Sequence, residues 1–220
     1  MESKSISAAL GALQEGRFVL IYDGDEREGE ADLIISARAI SPQAIERLRK
    51  DAGGLICVAI PPEAAERLKL PFMADVLCQA HVIAGPLVCD RTAYGDKPSF
   101  SLAVNHRKVY TGITDNDRSL TISNIERMVS EKEHGGEDFS RQFYTPGHVF
   151  LLIGRGIDKR KGHTELSLEL GQRAGLGAMV LCEMLGSGKA LSKKEAKAYA
   201  ERNGLVFLEG KEIIKSAKRS

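Results

Sequence analysis

Apolar runs rich in β-branched residues recur along the chain at residues 18–22, 33–36, 55–60, 102–104, 149–153, 179–182 and 205–208. Each is short and bounded by polar or Gly-containing segments, the pattern of buried strands. Helical segments interleave with them. Ser41-Pro42 offers a capping side chain followed by a proline at the first helical position. Ser192-Lys-Lys-Glu195 is a capping box that opens another helix, which stops at Gly204. Further helices are predicted over residues 62–69, 121–132 and 164–174, the last ending near Gly175 and Gly177, which suit a C-cap. The polar stretches 90–99 and 131–141 contain Gly or Pro without periodicity, so they are expected to be surface loops.

The first two strands are joined directly by Asp23-Gly-Asp-Glu-Arg-Glu-Gly-Glu-Ala-Asp32. Strands linked so closely pair in hairpin order, so part of the sheet is antiparallel. With helices on either side, the expected fold is α+β: a single three-layer α/β/α domain over residues 1–220 with a mixed, partly antiparallel sheet. A length of 220 residues with 43% hydrophobic content fits one domain with a real core.

Charge changes the picture only locally. Lys and Arg number 31 against 30 Asp and Glu, for a formal net charge of +1, and aromatics make up 5%. Without a basic stripe, no nucleic-acid or anionic-membrane partner is expected. No apolar stretch has the length to span a bilayer. Cys57, Cys78, Cys89 and Cys182 form no C-x-x-C pair, which argues for reduced thiols and against structural zinc. A cytoplasmic protein is the expectation.

The segment between the first two strands holds six carboxylates and a single Arg27. Like charges this dense persist where water screens them or cations bind them, and hard divalent metals are the natural cations. Glu26, Glu28, Glu30 and Asp32 share parity, so an extended backbone projects them from one face, and Arg27 joins them only through a turn near Gly29. An EF-hand is excluded, because Arg27 takes the fifth position from Asp23 and Glu28 stands where the loop requires Gly. A solvated hairpin tip is the simpler alternative.

A second constellation, Lys159-Arg-Lys-Gly-His-Thr-Glu165, leads into a helix starting near Thr164. Free N–H groups at a helix N-terminus bind phosphate, with Arg160 and Lys161 adding charge and Gly162 allowing close backbone approach. A basic turn capped by Thr164 is the competing reading, which leaves His163 unexplained. Tyr144-Thr-Pro-Gly-His148 brings a histidine to the start of a strand, and Glu183 ends an apolar one, where sites collect. Thr111-Gly-Ile-Thr-Asp-Asn-Asp-Arg-Ser119 reads as helix capping or a substrate or subunit contact. Cys57 reads as a small buried thiol in a strand.

Six motifs in order, from Asp25-Glu-Arg-Glu-Gly-Glu-Ala-Asp32 through Gly53-Gly-Leu-Ile-Cys57, Thr111 to Arg118, Pro146-Gly-His148 and Arg160-Lys-Gly-His-Thr-Glu165 to Cys182-Glu183, resemble the 3,4-dihydroxy-2-butanone 4-phosphate synthases of riboflavin biosynthesis. The resemblance implies a lyase that converts D-ribulose 5-phosphate to L-3,4-dihydroxy-2-butanone 4-phosphate and formate. It implies two Mg2+ or Mn2+ ions per active site held by Glu28 and His163, and a homodimer with active sites near the subunit interface. By the same resemblance Arg27 and Asp32 contact the sugar phosphate, as do Glu28 and Glu183. Arg160, Lys161, Gly162, His163 and Thr164 form its binding loop, and His148 and Glu183 are the essential catalytic pair. His148 and Glu183 are expected to shuttle protons, the group that takes the first proton stays open with Asp32 or a neighbouring acid equally placed, and the acidic segment, with Gly24 and Gly29, is the expected lid. Gly29 and Ala31 stand where the family commonly has Asn and Gly, and neither change removes a ligand. Without a fused cyclohydrolase segment, a monofunctional enzyme is expected. A metal-dependent phosphatase or sugar-phosphate isomerase could use the same groups without releasing formate, and a nucleotide- or RNA-binding module could share the layering.

Overall fold

The computed structural model describes residues 3–80, 87–88 and 91–218. Cys89 and Asp90 lie outside the described residues. Strands β1 (Val19–Tyr22), β2 (Ala31–Ser36), β3 (Cys57–Ile60), β4 (Phe100–His106), β5 (Phe143–Ile153), β6 (Met179–Glu183) and β7 (Val206–Glu209) form one sheet in the order β4-β5-β3-β6-β2-β1-β7. β1/β7 and β3/β5 run parallel and the other neighbouring pairs antiparallel, so the sheet is mixed as expected.

Alternate residues of each central strand feed two separate cores. Leu20, Leu33, Val58 and Val180 pack with Leu48, Ile125 and Ala196 on one face. Val19, Ile34, Ala59 and Met179 pack with Leu13, Leu170 and Ile213 on the other. Burial on both faces is why these strands read as continuous apolar runs instead of alternating ones. The helices that cover the first face include α2 (Pro42–Asp51), α3 (Pro62–Arg67), α5 (Asp115–Ser130) and α8 (Lys193–Arg202). The second face is covered by α1 (Lys4–Gln14), α7 (His163–Arg173) and α9 (Gly210–Ala217). Three layers result. Ser41 and Ser192 cap α2 and α8 through bonds to the Ala44 and Glu195 N–H groups.

Four features depart from the sequence-based expectation. Residues 131–141 are not simply a loop, because α6 (Gly136–Gln142) starts there, with the Asp138 carboxylate accepting the Gly135 N–H and Phe139 stacked on Phe143. α5 begins at Asp115 instead of Thr121: the Thr114 hydroxyl caps it, and Asp117 gathers the N–H groups of Thr111 and Gly112. α7 is preceded by Gly162, so Thr164 lies inside its first turn and is not the cap. α1, α4 (Met73–Gln79) and α9 are additional, α1 being capped by Ser3. Cys57 and Cys182 are buried and Cys78 is exposed, all three as free thiols.

Candidate active site

Three pieces of chain meet where β2 begins and β6 ends. Register pairs Asp32 with Glu183, setting two carboxylates side by side on adjacent antiparallel strands. The β1–β2 connection brings Glu28 over them. α7 crosses the same face with His163 as its first residue, and its Nδ1 lies 3.4 Å from Glu28 Oε2 and 3.5 Å from Asp32 Oδ1.

The acidic segment is ordered by one of its own carboxylates. Asp23, with a fully buried side chain, accepts the backbone N–H groups of Gly24, Glu28 and Glu30. This is an anionic nest that shapes the turn, and Gly29 supplies the left-handed residue it needs, at φ 69°. The turn brings Arg27 back towards the acids, as the parity argument requires. Its guanidinium lies 3.4 Å from Asp23, 3.7 Å from Glu28 and 2.6 Å from Asp96.

Arg160, on the loop before α7, is buried, 2.7 Å from Glu165 and 3.4 Å from Asp96. Arg27 Nε and Nη2 and Arg160 Nε are buried without a hydrogen-bond partner. Buried guanidinium donors left open beside a cavity suit an oxyanion ligand. That cavity, of about 440 Å³, is lined by Glu28, Asp32, Arg160, His163, Thr164 and Glu183 on its polar side, and by Cys57, Met73, Leu77, Tyr94 and Phe100 elsewhere.

Proton affinities in the cluster are displaced. Burial works to raise the Glu28 carboxyl, but its hydrogen bonds with His163 and Tyr94 and the nearby charges bring it down to about 2. Burial lowers His163, yet the Asp32 and Glu28 carboxylates outweigh it and raise the imidazole to about 10. Asp32 is pushed up to about 7, first by burial and then by Glu183 and Glu28, against the pull of His163. Glu183 and Glu30 are raised by burial and by neighbouring carboxylates. So many acids at close range hold together only with cations among them.

The donor set fits divalent metal. Ligand atoms of Asp23, Glu28 and His163 lie within 4.8 Å of one another, as do those of Glu28, Glu30 and Glu183, so Glu28 belongs to both groups. One imidazole among carboxylates is chemistry for Mg2+ or Mn2+. The Asp23 oxygens already serve three N–H groups, which leaves Glu28, Glu30, Glu183 and His163 as the freer donors.

Residues 7–216 match the sequence profile of 3,4-dihydroxy-2-butanone 4-phosphate synthase. The chain belongs to that family. Within the family it is 48% identical to the synthase of Methanosarcina mazei, over 97% of this chain and 91% of the relative, and 34% identical to that of Chromobacterium violaceum, over 99% and 95%. It also superposes on a crystal structure of a 3,4-dihydroxy-2-butanone 4-phosphate synthase in complex with two magnesium ions. The TM-score is 0.79 at 26% identity, over 99% of this chain and 98% of that one.

The structure gathers Glu28, Asp32, Arg160, His163, Thr164 and Glu183, with Arg27 alongside and Gly162 against the Arg160 guanidinium. It does not bring in the other two residues singled out from sequence. Lys161 is exposed and lines a small separate cavity beside α9. His148 is exposed on β5, its ring 3.1 Å from the Asn105 amide, and does not line the cavity. Tyr94, Asp96 and the buried carboxylate of Glu165 are participants to which sequence reasoning gave no role. Tyr94 and Asp96 fall in a polar stretch whose composition resembles any surface loop.

Proposed function

We propose that the chain converts D-ribulose 5-phosphate to L-3,4-dihydroxy-2-butanone 4-phosphate and formate, supplying a step of riboflavin biosynthesis. The observation that carries this reading is the cluster of Glu28, Asp32, His163 and Glu183 beside Arg27 and Arg160, each with buried guanidinium nitrogens that lack a hydrogen-bond partner. Glu28 and His163 hold the metal, Mg2+ or Mn2+, as two ions per site. Bound there, the ions supply Lewis-acid stabilisation of negative charge developing on the ketose oxygens.

The protein groups do the remainder. Arg160, with Thr164 and Gly162 at the N-terminus of α7, grips the phosphate end, and Arg27, which shares the Asp96 carboxylate with Arg160, adds a second guanidinium beside it. Asp32, whose Oδ1 lacks a hydrogen-bond partner, takes the first proton. Glu183 moves protons in the later steps. The apolar wall of Met73, Leu77 and Phe100 limits water around the reacting carbons.

We further propose a homodimer that works in the cytoplasm, each copy a single synthase domain over residues 1–220. His148 lies outside its own chain's cavity, and Tyr110, 96% exposed, and Ile113, 51% exposed, offer apolar contact surface after β4. An exposed catalytic histidine and a half-apolar surface are both accounted for if a second copy covers them.

The deciding experiment incubates purified protein with ribulose 5-phosphate and Mg2+ and follows formate with and without a chelator. Formate that depends on metal and is lost in Glu28→Ala is the expected result. Turnover without formate would assign the site to an isomerase or phosphatase.

A further inference from the structure

Glu165 lies in the first turn of α7, and none of its side chain is exposed. Oε2 accepts from Arg160 Nη1 at 2.7 Å, and Oε1 accepts the backbone N–H of Arg155 at 3.0 Å. One carboxylate therefore ties the start of the 155–165 turn to the guanidinium near its end. Backbone packs against the same guanidinium: a Cβ at Gly162 would stand 2.7 Å from Arg160 Cζ and closer still to Nη1. Arg160 has one seat, and from it Nε, unpartnered, and Nη2 face Asp96 and Glu28 at 3.4 and 3.9 Å.

We propose that Glu165 is the positioning residue of the anion subsite, fixing Arg160 for the substrate phosphate without touching the substrate. The proposal rests on the reading of Arg160 as the phosphate contact. Anions compete for this guanidinium. While Glu165 neutralises Arg160 from behind, the guanidinium can present its remaining donors to an incoming phosphate. Remove that charge and the buried cation turns to Asp96, the nearer of its remaining carboxylates at 3.4 Å, while Glu28, at 3.9 Å, stays with the metal donors, so phosphate must displace a carboxylate that has become its chief counterion. Substrate binding weakens, while the groups around the reacting carbons stay where they were.

The test uses Glu165→Gln, which keeps the volume and an acceptor for the Arg155 N–H but removes the charge, with Arg160→Met as the reference. Thermal unfolding of metal-free protein is measured against inorganic phosphate, and KM and kcat for ribulose 5-phosphate are measured with Mg2+. In Glu165→Gln the phosphate concentration giving half-maximal stabilisation and the KM are expected to rise together by about tenfold, while kcat changes by less than about threefold. The Mg2+ concentration for half activation is expected to stay put.

A purely structural role would lower melting temperature or active fraction and leave phosphate affinity and KM unmoved. That result, with Arg160→Met weakening both, overturns the proposal while the Arg160 reading stands. If Arg160→Met itself leaves phosphate affinity and KM unchanged, the phosphate reading fails and takes the role of Glu165 with it.

Discussion

Gly147→Ala probes how rigidly the fold presents His148. Gly147 sits on β5 opposite the register shift between Val104 and Asn105, and a Cβ there would lie 2.5 Å from Val104 O and closer still to Val104 C. Both obstacles are backbone, so no rotamer change relieves them. The overlap is about 1.5 Å inside an ordinary carbon contact, and relieving it requires β4 and β5 to separate. Overpacking of this kind costs about 3 kcal/mol, the upper part of its usual range, because backbone must move. For a chain of this size that lowers the melting temperature by about 6–12 °C. The displacement is passed to the next residue, whose N–H donates to Asn105 Oδ1 at 2.9 Å, so His148 moves with it. With His148 in the catalytic role proposed for it, a shift of that order costs about a hundredfold in kcat. Thermal unfolding and formate release together provide the assay. A variant within about 0.5 kcal/mol of wild type and with unchanged kcat would refute both the packing argument and the role given to His148.

Three further outcomes are expected. Mixing His148→Ala with Glu183→Gln subunits, each inactive alone, restores about a quarter of wild-type activity after subunit exchange if His148 serves a second copy's site; no recovery despite exchange contradicts that reading. Mg2+ at about a hundredfold its Kd stabilises the protein by about 2.7 kcal/mol, and Glu28→Gln removes most of the gain, as unfolding titrations will show. Hydrogen bonds from Lys211 and Lys193 hold Glu209 down at about 2, so the stability it confers is complete above the ordinary carboxyl value and is lost as pH falls from about 4.5 towards 2. Glu209→Gln therefore flattens the acid limb of the stability curve within that window, and added salt narrows the difference because the lysines face solvent.

Much of the sheet was legible because its strands are buried on both sides, so Leu20, Ile34, Val58 and Val180 belong to apolar runs that admit few other readings. The helices were legible in proportion to what they bury. α4 buries no residue and α6 only Phe139, so neither leaves an apolar stripe to read. α1 buries Ile6, Ala9, Ala12 and Leu13, but two of these are alanines, which give a weak apolar signal. At the candidate site, Glu28 and His163 could be paired across 135 residues only through the order of the motifs. Local pattern said nothing of the β2–β6 register that sets Asp32 beside Glu183. Asp96 and Glu165 escaped for the same reason. A carboxylate's partner is a matter of tertiary packing: Glu165 has Arg160, on a loop that reads from sequence as basic and exposed, and Asp96 has Arg27, from the distant acidic segment.

The central claim is that the cluster of Glu28, Asp32, His163 and Glu183 breaks a carbon–carbon bond in a phosphorylated ketose instead of merely moving its protons or cleaving its phosphate ester. Its most direct test is the ratio of formate released to ribulose 5-phosphate consumed by the Mg2+-loaded protein, with wild type and Glu183→Gln run side by side. The account predicts one formate for each substrate consumed by wild type, and loss of formate and consumption together in the variant. Consumption accompanied by inorganic phosphate or by an isomeric pentose phosphate, without formate, would contradict it.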